Sequence, residues 1–278
     1  MDALRLRARD IHHPFHGVSS TRDPDGIREL CTAYLRVMPE GSYFSHETAA
    51  ALLDIPLPSE VAPYPLHVAV AAPRTAPRGR GIVGHSVRSL TGTVFDGFPI
   101  SVPAHVWCQL SGQIGRDDLV AAGDHLIGSR SRPSLATLEE LAAVSARGGR
   151  TKGASSRSWA VPRIRFGADS RPETLLRLLL ESQGWRDLDV NLPLAVDGGG
   201  RTLHPDLASV RERVVFEYEG DGHRVDRWQW HHDIERRERL EEAGWHVMRV
   251  TSLDLFHNRS AFVKRLGRFV PNVGSTVG

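Results

Sequence analysis

Asp206, Glu217 and Glu219 stand in the stretch HPDLASVRERVVFEYEGDGHR, residues 204–224. Period-two alternation along a strand puts Glu217 and Glu219 on one face and Phe216 and Tyr218 on the other. Asp206 precedes Glu217 by eleven residues, about what a hairpin return needs, so two adjacent antiparallel strands would bring the acids within a few ångströms of each other. Carboxylates are poor strand residues unless a metal, a cation or water receives them. Oxygen ligands of this kind suit Mg2+ or Mn2+, which on phosphodiesters orient water and stabilise charge on the transferring phosphoryl group. The backbone carbonyl of Tyr218, between the two glutamates, would supply a further oxygen. An ion would also offset the mutual repulsion that otherwise raises the pKa of each acid. By periodicity alone, acids on an exposed sheet edge or in a salt-bridge network fit the same pattern.

Other polar groups follow in the chain. His223 lies four residues after Glu219 in a glycine-containing turn, suited either to general acid/base work or leaving-group contact, or to an exposed turn without a role. Gln229 and Asp233 share a helix face, beside the apolar pair Trp230 and Ile234. Arg236, Arg237 and Arg239 could contact phosphates, or could pair along the helix with Glu235, Glu238, Glu241 and Glu242. The histidine pairs at 12–13 and 231–232 invite a metal reading, but adjacent helical side chains point about 100° apart, which favours solvent or packing roles. No H-E-x-x-H, Walker loop, G-x-G-x-x-G or paired C-x-x-C occurs.

The elements that must position these residues can be read from periodicity. RPETLLRLLLESQGW predicts a helix with Pro172 near its start, Gly184 near its end and Leu175, Leu176, Leu179 and Leu180 in the core. A hairpin is expected around Asp197 to Gly200, then a strand over RVVFEYEG, an amphipathic helix ending at Gly244, the strand HVMRV and a last helix over SAFVKRLGRF. Earlier in the chain, helices are expected over DPDGIRELCTAYLRVMPEG and FSHETAALLDIPLP, the latter with Ser45 as N-cap. Residues 60–102 read as a small sheet, followed by helices through AHVWCQLSGQI, RDDLVAAGDHLIGS and SLATLEELAAVSAR, with Ser134 as a cap for the last. Residues 148–170 are rich in Gly, Ser and Arg and carry Arg150, Lys152, Arg157, Arg163 and Arg165 without intervening acids. This predicts a solvated basic linker, with phosphate contact as its alternative. The chain therefore reads as α/β, with an α+β accessory or regulatory domain over 1–147 and a second, mixed-sheet domain over 171–278.

Composition excludes little. A net charge of +2 over 278 residues permits nucleic acid as a partner without arguing for it. Two cysteines, Cys31 and Cys108, are too few for a disulfide scaffold and fit a reducing compartment. No signal core or run of transmembrane length is present, so no membrane partner is expected and the cytoplasm is the default location.

Residues 171–266 resemble a bacterial family of unknown function related to very-short-patch-repair endonucleases, within the restriction-endonuclease-like superfamily. The matching features are RPETLLRLLL, HPDLASV, VVFEYEGDGHR, QWHHDIERRERLEEAGWHVMRV and the final helix. The resemblance implies a restriction-endonuclease-like mixed sheet and an Mg2+- or Mn2+-dependent endonuclease acting on DNA, with Glu173, Asp206 and Glu217 at the acidic positions. Glu219 stands where many superfamily nucleases have lysine, which would orient water; a glutamate could accept a proton or add a metal ligand. The family also implies that the polar face carrying Gln229 and Asp233 lies beside the centre. Residues 44–126 resemble the region upstream of such domains in actinobacterial proteins and, more distantly, AbiEi-type antitoxins. That implies a DNA-binding or regulatory role, in which His46 or Arg74, Arg78 and Arg80 would face phosphates. A catalytically inactive nucleic-acid-binding or antitoxin-like regulator is the alternative, and a homodimer or a toxin–antitoxin-like partner is left open.

Overall fold

The computed structural model describes residues 10–149, 151–220 and 227–268, with side chains from residue 232 onward in the last segment. The chain is a mixed α/β protein of two compact units, one holding residues up to 127 together with 134–164, the other 128–133 together with 165 onward. No helix among the described residues is long and apolar enough to cross a membrane.

The first unit runs α1 (Gly26–Leu35), β1 (Ser42–Phe44), α2 (His46–Leu52), β2 (Leu66–Ala71), β3 (Arg78–Gly79), β4 (Ile82–Val87), β5 (Gly92–Phe95) and β6 (Phe98–Ser101). Helices α3 (Pro103–Leu110), α4 (Arg116–Ile127), α5 (Leu138–Arg147) and α6 (Ala154–Ala160) follow. The sheet order is β3-β4-β2-β1-β6-β5, so the sheet predicted over 60–102 also recruits β1. Pleating buries Leu66, Val68 and Val70 of β2. Gly84 in β4 has no substitute there, because a Cβ would fall 1.9 Å from the Pro77 carbonyl oxygen.

Two predicted caps work differently. Thr137, not Ser134, caps α5: its hydroxyl accepts from Glu140 N at 3.2 Å while the Glu140 carboxylate accepts from Thr137 N at 2.9 Å, a capping box. Ser134 instead donates to the Ile127 carbonyl at 2.6 Å. Ser45 occupies the N-cap position of α2 without making a cap hydrogen bond.

The stretch read as a solvated basic linker is folded for much of its length. Arg157 on α6 is 1% exposed and donates to Ser111 Oγ (2.8 Å), Lys152 O (3.1 Å), Gly149 O (3.3 Å) and Thr151 Oγ1 (3.0 Å). Arg163 and Arg116 both lie over the Trp159 ring, at 4.3 and 4.5 Å from its centroid. Buried, with both terminal nitrogens engaged by carbonyls and hydroxyls, Arg157 is a structural strap and no phosphate ligand.

In the second unit come α7 (Arg171–Ser182), β7 (Leu188–Val190), β8 (Leu194–Val196), β9 (Arg201–Leu203), β10 (Leu207–Ser209), β11 (Val214–Glu219), α8 (Arg227–Glu242), β12 (His246–Thr251) and α9 (Arg259–Leu266), with a π-helical turn at Leu253–His257. The main sheet has the order β12-β11-β10-β7, and β8–β9 forms a separate hairpin at the predicted turn. β10 is antiparallel to β7 and β11, whereas β12 is parallel to β11 across the α8 crossover. On one face Leu176, Leu179 and Leu180 of α7 pack with Leu207, Phe216, Met248, Val250 and Phe262; on the other, Leu240 of α8 packs with Ala208, Val215 and Val247. Each of those leucines contributes on the order of 2 kcal/mol by burial. The alternation read in VVFEYE is thus met on both faces of β11.

Candidate active site

The register of β10 on β11 pairs Leu207 with Phe216. One step outward, Asp206 stands opposite Glu217 on the face that carries α8, since alternation puts both beside Ala208 and Val215 of that layer. The Asp206 carboxylate accepts from the Tyr218 amide at 2.7 Å, and its own carbonyl accepts from Asn191 N at 3.1 Å. Asp206 is thereby tied across both neighbouring strands.

Glu173 reaches the same region from the first turn of α7. It is 8% exposed, and its oxygens accept from Asp169 N at 2.9 Å and Ser170 Oγ at 2.8 Å. Ser170 Oγ in turn accepts from Glu173 N at 3.4 Å, so Glu173 is also the reciprocal partner of the helix cap. Burial raises its pKa against these hydrogen bonds, and Asp169 adds to the rise.

Electrostatics tie the acids together. Burial pushes the Asp206 carboxyl up to about 8, and the charges of Glu173 and Glu217 push the same way, while the Tyr218 amide and Arg236 oppose them. A carboxyl that burial and two neighbouring carboxyls together hold protonated near neutrality is a site short of positive charge. The donor set therefore fits a hard divalent cation, which would stabilise all three ionised forms. Asp206 and Glu217, opposite each other across the two strands, are the residues that would hold such an ion, whereas both Glu173 oxygens already accept hydrogen bonds. At Tyr218 it is the amide that meets the cluster, through Asp206.

Two arginines complete the site. Arg236 on α8 donates through Nε to Glu217 at 2.8 Å and through Nη2 to the His204 carbonyl at 2.6 Å. Arg249 on β12 pairs with Glu219. Arg237 and Arg239 behave as helix-surface periodicity predicts, meeting Glu241 at 2.8 Å and Glu235 at 3.8 Å, and Arg239 also pairs with Asp197. The contact of Arg236 with Glu217 crosses from helix to strand, so helical spacing could not announce it. Arg249 was legible in principle as a cation one strand away from an E-x-E pattern.

The remaining predicted residues divide. Glu219 lies on the Glu217 face but is engaged by Arg249. Asp233 is exposed on α8. His223 and the side chain of Gln229 lie outside the described residues. Of the histidine pairs, His12 meets Asp23 at 2.8 Å and His13 approaches Ser19 Oγ at 3.1 Å; neither lies on a helix, and the side chain of His231 lies outside the described residues.

No model of a known family matches the chain, and no curated protein or solved structure matches it. The chemistry of the site is carried by its own geometry.

Proposed function

We propose that the second unit is a divalent-metal-dependent nuclease acting on DNA in the cytoplasm, with Asp206 and Glu217 holding Mg2+ or Mn2+ and Glu173 positioning Asp206 and the ion's waters. The observation that carries this reading is the convergence of Asp206 on Glu217 and Glu173 in a buried position, where burial first and the two neighbouring charges second push the Asp206 carboxyl up to about 8. A bound dication would supply charge stabilisation on the phosphoryl oxygens and a water of lowered pKa. Asp206, held by the Tyr218 amide, fixes one side of the centre, and Glu217 fixes the other. Arg236, 30% exposed along its side chain, is within reach of a phosphate oxygen once Glu217 turns to an ion. Support for a restriction-endonuclease-like arrangement comes from the element order of helix, three strands of the main sheet, helix, strand and helix.

A second reading has its own observation. Arg236 and Arg249 already neutralise Glu217 and Glu219, as would suit an idle scaffold that binds nucleic acid without cutting it. Incubating the full chain with supercoiled, linear, mismatched and branched DNA in Mg2+ or Mn2+ separates the two. Cleavage by the wild type that Asp206→Ala and Glu217→Ala both abolish is the expected result. DNA binding without cleavage in all three proteins would transfer the argument to the regulator, and equal cleavage by all three would remove the site.

A further inference from the structure

Three histidines without a shared motif meet in the first unit. His46 opens α2, His67 lies in β2 and His85 in β4. In the parallel β2–β4 register His67 stands beside Val83 and Ala69 beside His85, so the two histidines share a sheet face, one pleat apart. The chain leaves β1 through Ser45, whose amide donates to the His67 carbonyl at 2.9 Å, and this brings His46 to the same place. His46 adopts φ +49°, a left-handed conformation that side chains rarely take, and its amide donates to Gln109 Oε1 at 3.0 Å. The Ser45 hydroxyl lies 3.0 Å from His46 Nδ1, which accounts for its failure to cap α2 and leaves Nε2 of that ring for another partner.

His46 stacks on His85 with centroids 3.8 Å apart, and His67 lies 5.1 Å from His85. His85 Nε2 is 3.1 Å from His67 Nδ1, and one nitrogen from each ring lies within 4.8 Å of the other two. Glu47 supplies an independent sign. It is 7% exposed, and its Oε2 lies 3.1 Å from His67 Nδ1 but out of line for a hydrogen bond, so this buried oxygen has no hydrogen-bond partner. A buried carboxylate oxygen is costly unless paired or bound to a cation.

With metal–ligand bonds near 2.0–2.1 Å, tetrahedral donors sit about 3.3 Å apart. The Glu47–His67 and His67–His85 separations, both 3.1 Å, already match that edge. His46, with its ligand atom within 4.8 Å of the other two, would complete such a shell by tilting out of its stack and closing by about 1–2 Å.

We propose that His46, His67, His85 and Glu47 bind one transition-metal dication, with Zn2+ preferred. Three imidazoles and a carboxylate suit Zn2+, Co2+ or Ni2+ and discriminate against Mg2+. Four protein donors make a closed site, in which the ion clamps the start of α2 onto β2 and β4.

Co2+ titration of the untagged full chain, stripped with chelator, tests the proposal. A single equivalent is expected to give the intense visible absorption of a tetrahedral site, bleached by Zn2+ and not by Mg2+. The band should persist in the Asp206→Ala, Glu217→Ala double variant, weaken at least tenfold in affinity in Glu47→Gln, and vanish in His67→Ala. X-ray absorption of the Zn2+-loaded wild type needs no variant: three imidazoles in the first shell are expected. Fewer than three, or a Co2+ band unchanged in a folded His67→Ala protein, would overturn the assignment.

Discussion

The two units each gather ionisable side chains from separate elements, and they solve the problem of crowding in opposite ways. In the second unit the groups are carboxyls, and burial, reinforced by the charges of Glu173 and Glu217, raises the Asp206 pKa to about 8; in the first they are imidazoles, and burial lowers all three, reinforced by neighbouring imidazoles at His46, which falls to about 3, and at His85. Both shifts favour the uncharged form. The consequences for a metal differ. Neutral imidazoles are ready to donate without losing a proton, whereas Asp206 must first be deprotonated. The acids therefore suit a hard dication exchanged in the course of reaction, and the histidines a borderline one that stays.

The largest effect that would sharpen this contrast is on catalysis. Asp206→Ala should lower Mn2+-dependent DNA cleavage on the order of a thousandfold, the equivalent of several kcal/mol of charge stabilisation, as read from plasmid nicking. Glu173→Gln, which keeps an acceptor for Asp169 N while its amide can donate to Ser170 Oγ, should lower it much less. A loss equal to that of Asp206→Ala would make Glu173 a full ligand. Next in size is Phe216→Ala, which empties the centre of the apolar cluster against Trp185, 5.0 Å away edge-to-face. It should cost about 3–5 kcal/mol in denaturant unfolding of the second unit.

The faces of β11 were legible because alternation with a buried aromatic at 216 and acids at 217 and 219 admits one orientation, and chain distance alone foretold that Asp206 would return opposite Glu217. The apolar stripe of α7 was equally plain, whereas its Ser170 cap emerged only in the structure. What could not be read is tertiary. Arg236 was expected to pair along its own helix, but the strand beneath offers Glu217. The basic stretch at 148–170 looked solvated since its composition is polar, yet Arg157 turns inward to carbonyls that only the fold supplies. Doubled histidines drew attention, while the cluster that forms uses single ones on three elements. The available signal was a lone histidine in each of two largely apolar strands, LHVAVA and IVGHSV.

Smaller effects test the electrostatics. Removing the competing cation with Arg236→Gln should tighten Mn2+ binding several-fold, roughly 1 kcal/mol for a partly exposed pair, by calorimetry. Unchanged affinity would mean that Arg236 does not compete with the ion. Ser170→Ala should cost about 1 kcal/mol as a lost helix cap, seen in thermal unfolding. The pH dependence carries a definite sign. Because the Asp206 pKa is raised in the folded state, the native protein holds a proton that the unfolded chain has lost, and its contribution to stability falls as pH rises from about 4 to about 8. In chelator, Asp206→Asn should therefore gain on the wild type in melting temperature across that window and gain no more above it.

The most direct measurement is the anomalous scattering of a crystal soaked in Mn2+. A peak within ligand distance of both Asp206 and Glu217 is expected, with Arg236 withdrawn from Glu217. Density that keeps Arg236 on Glu217 with no peak between the two acids, even at saturating Mn2+, would contradict the account.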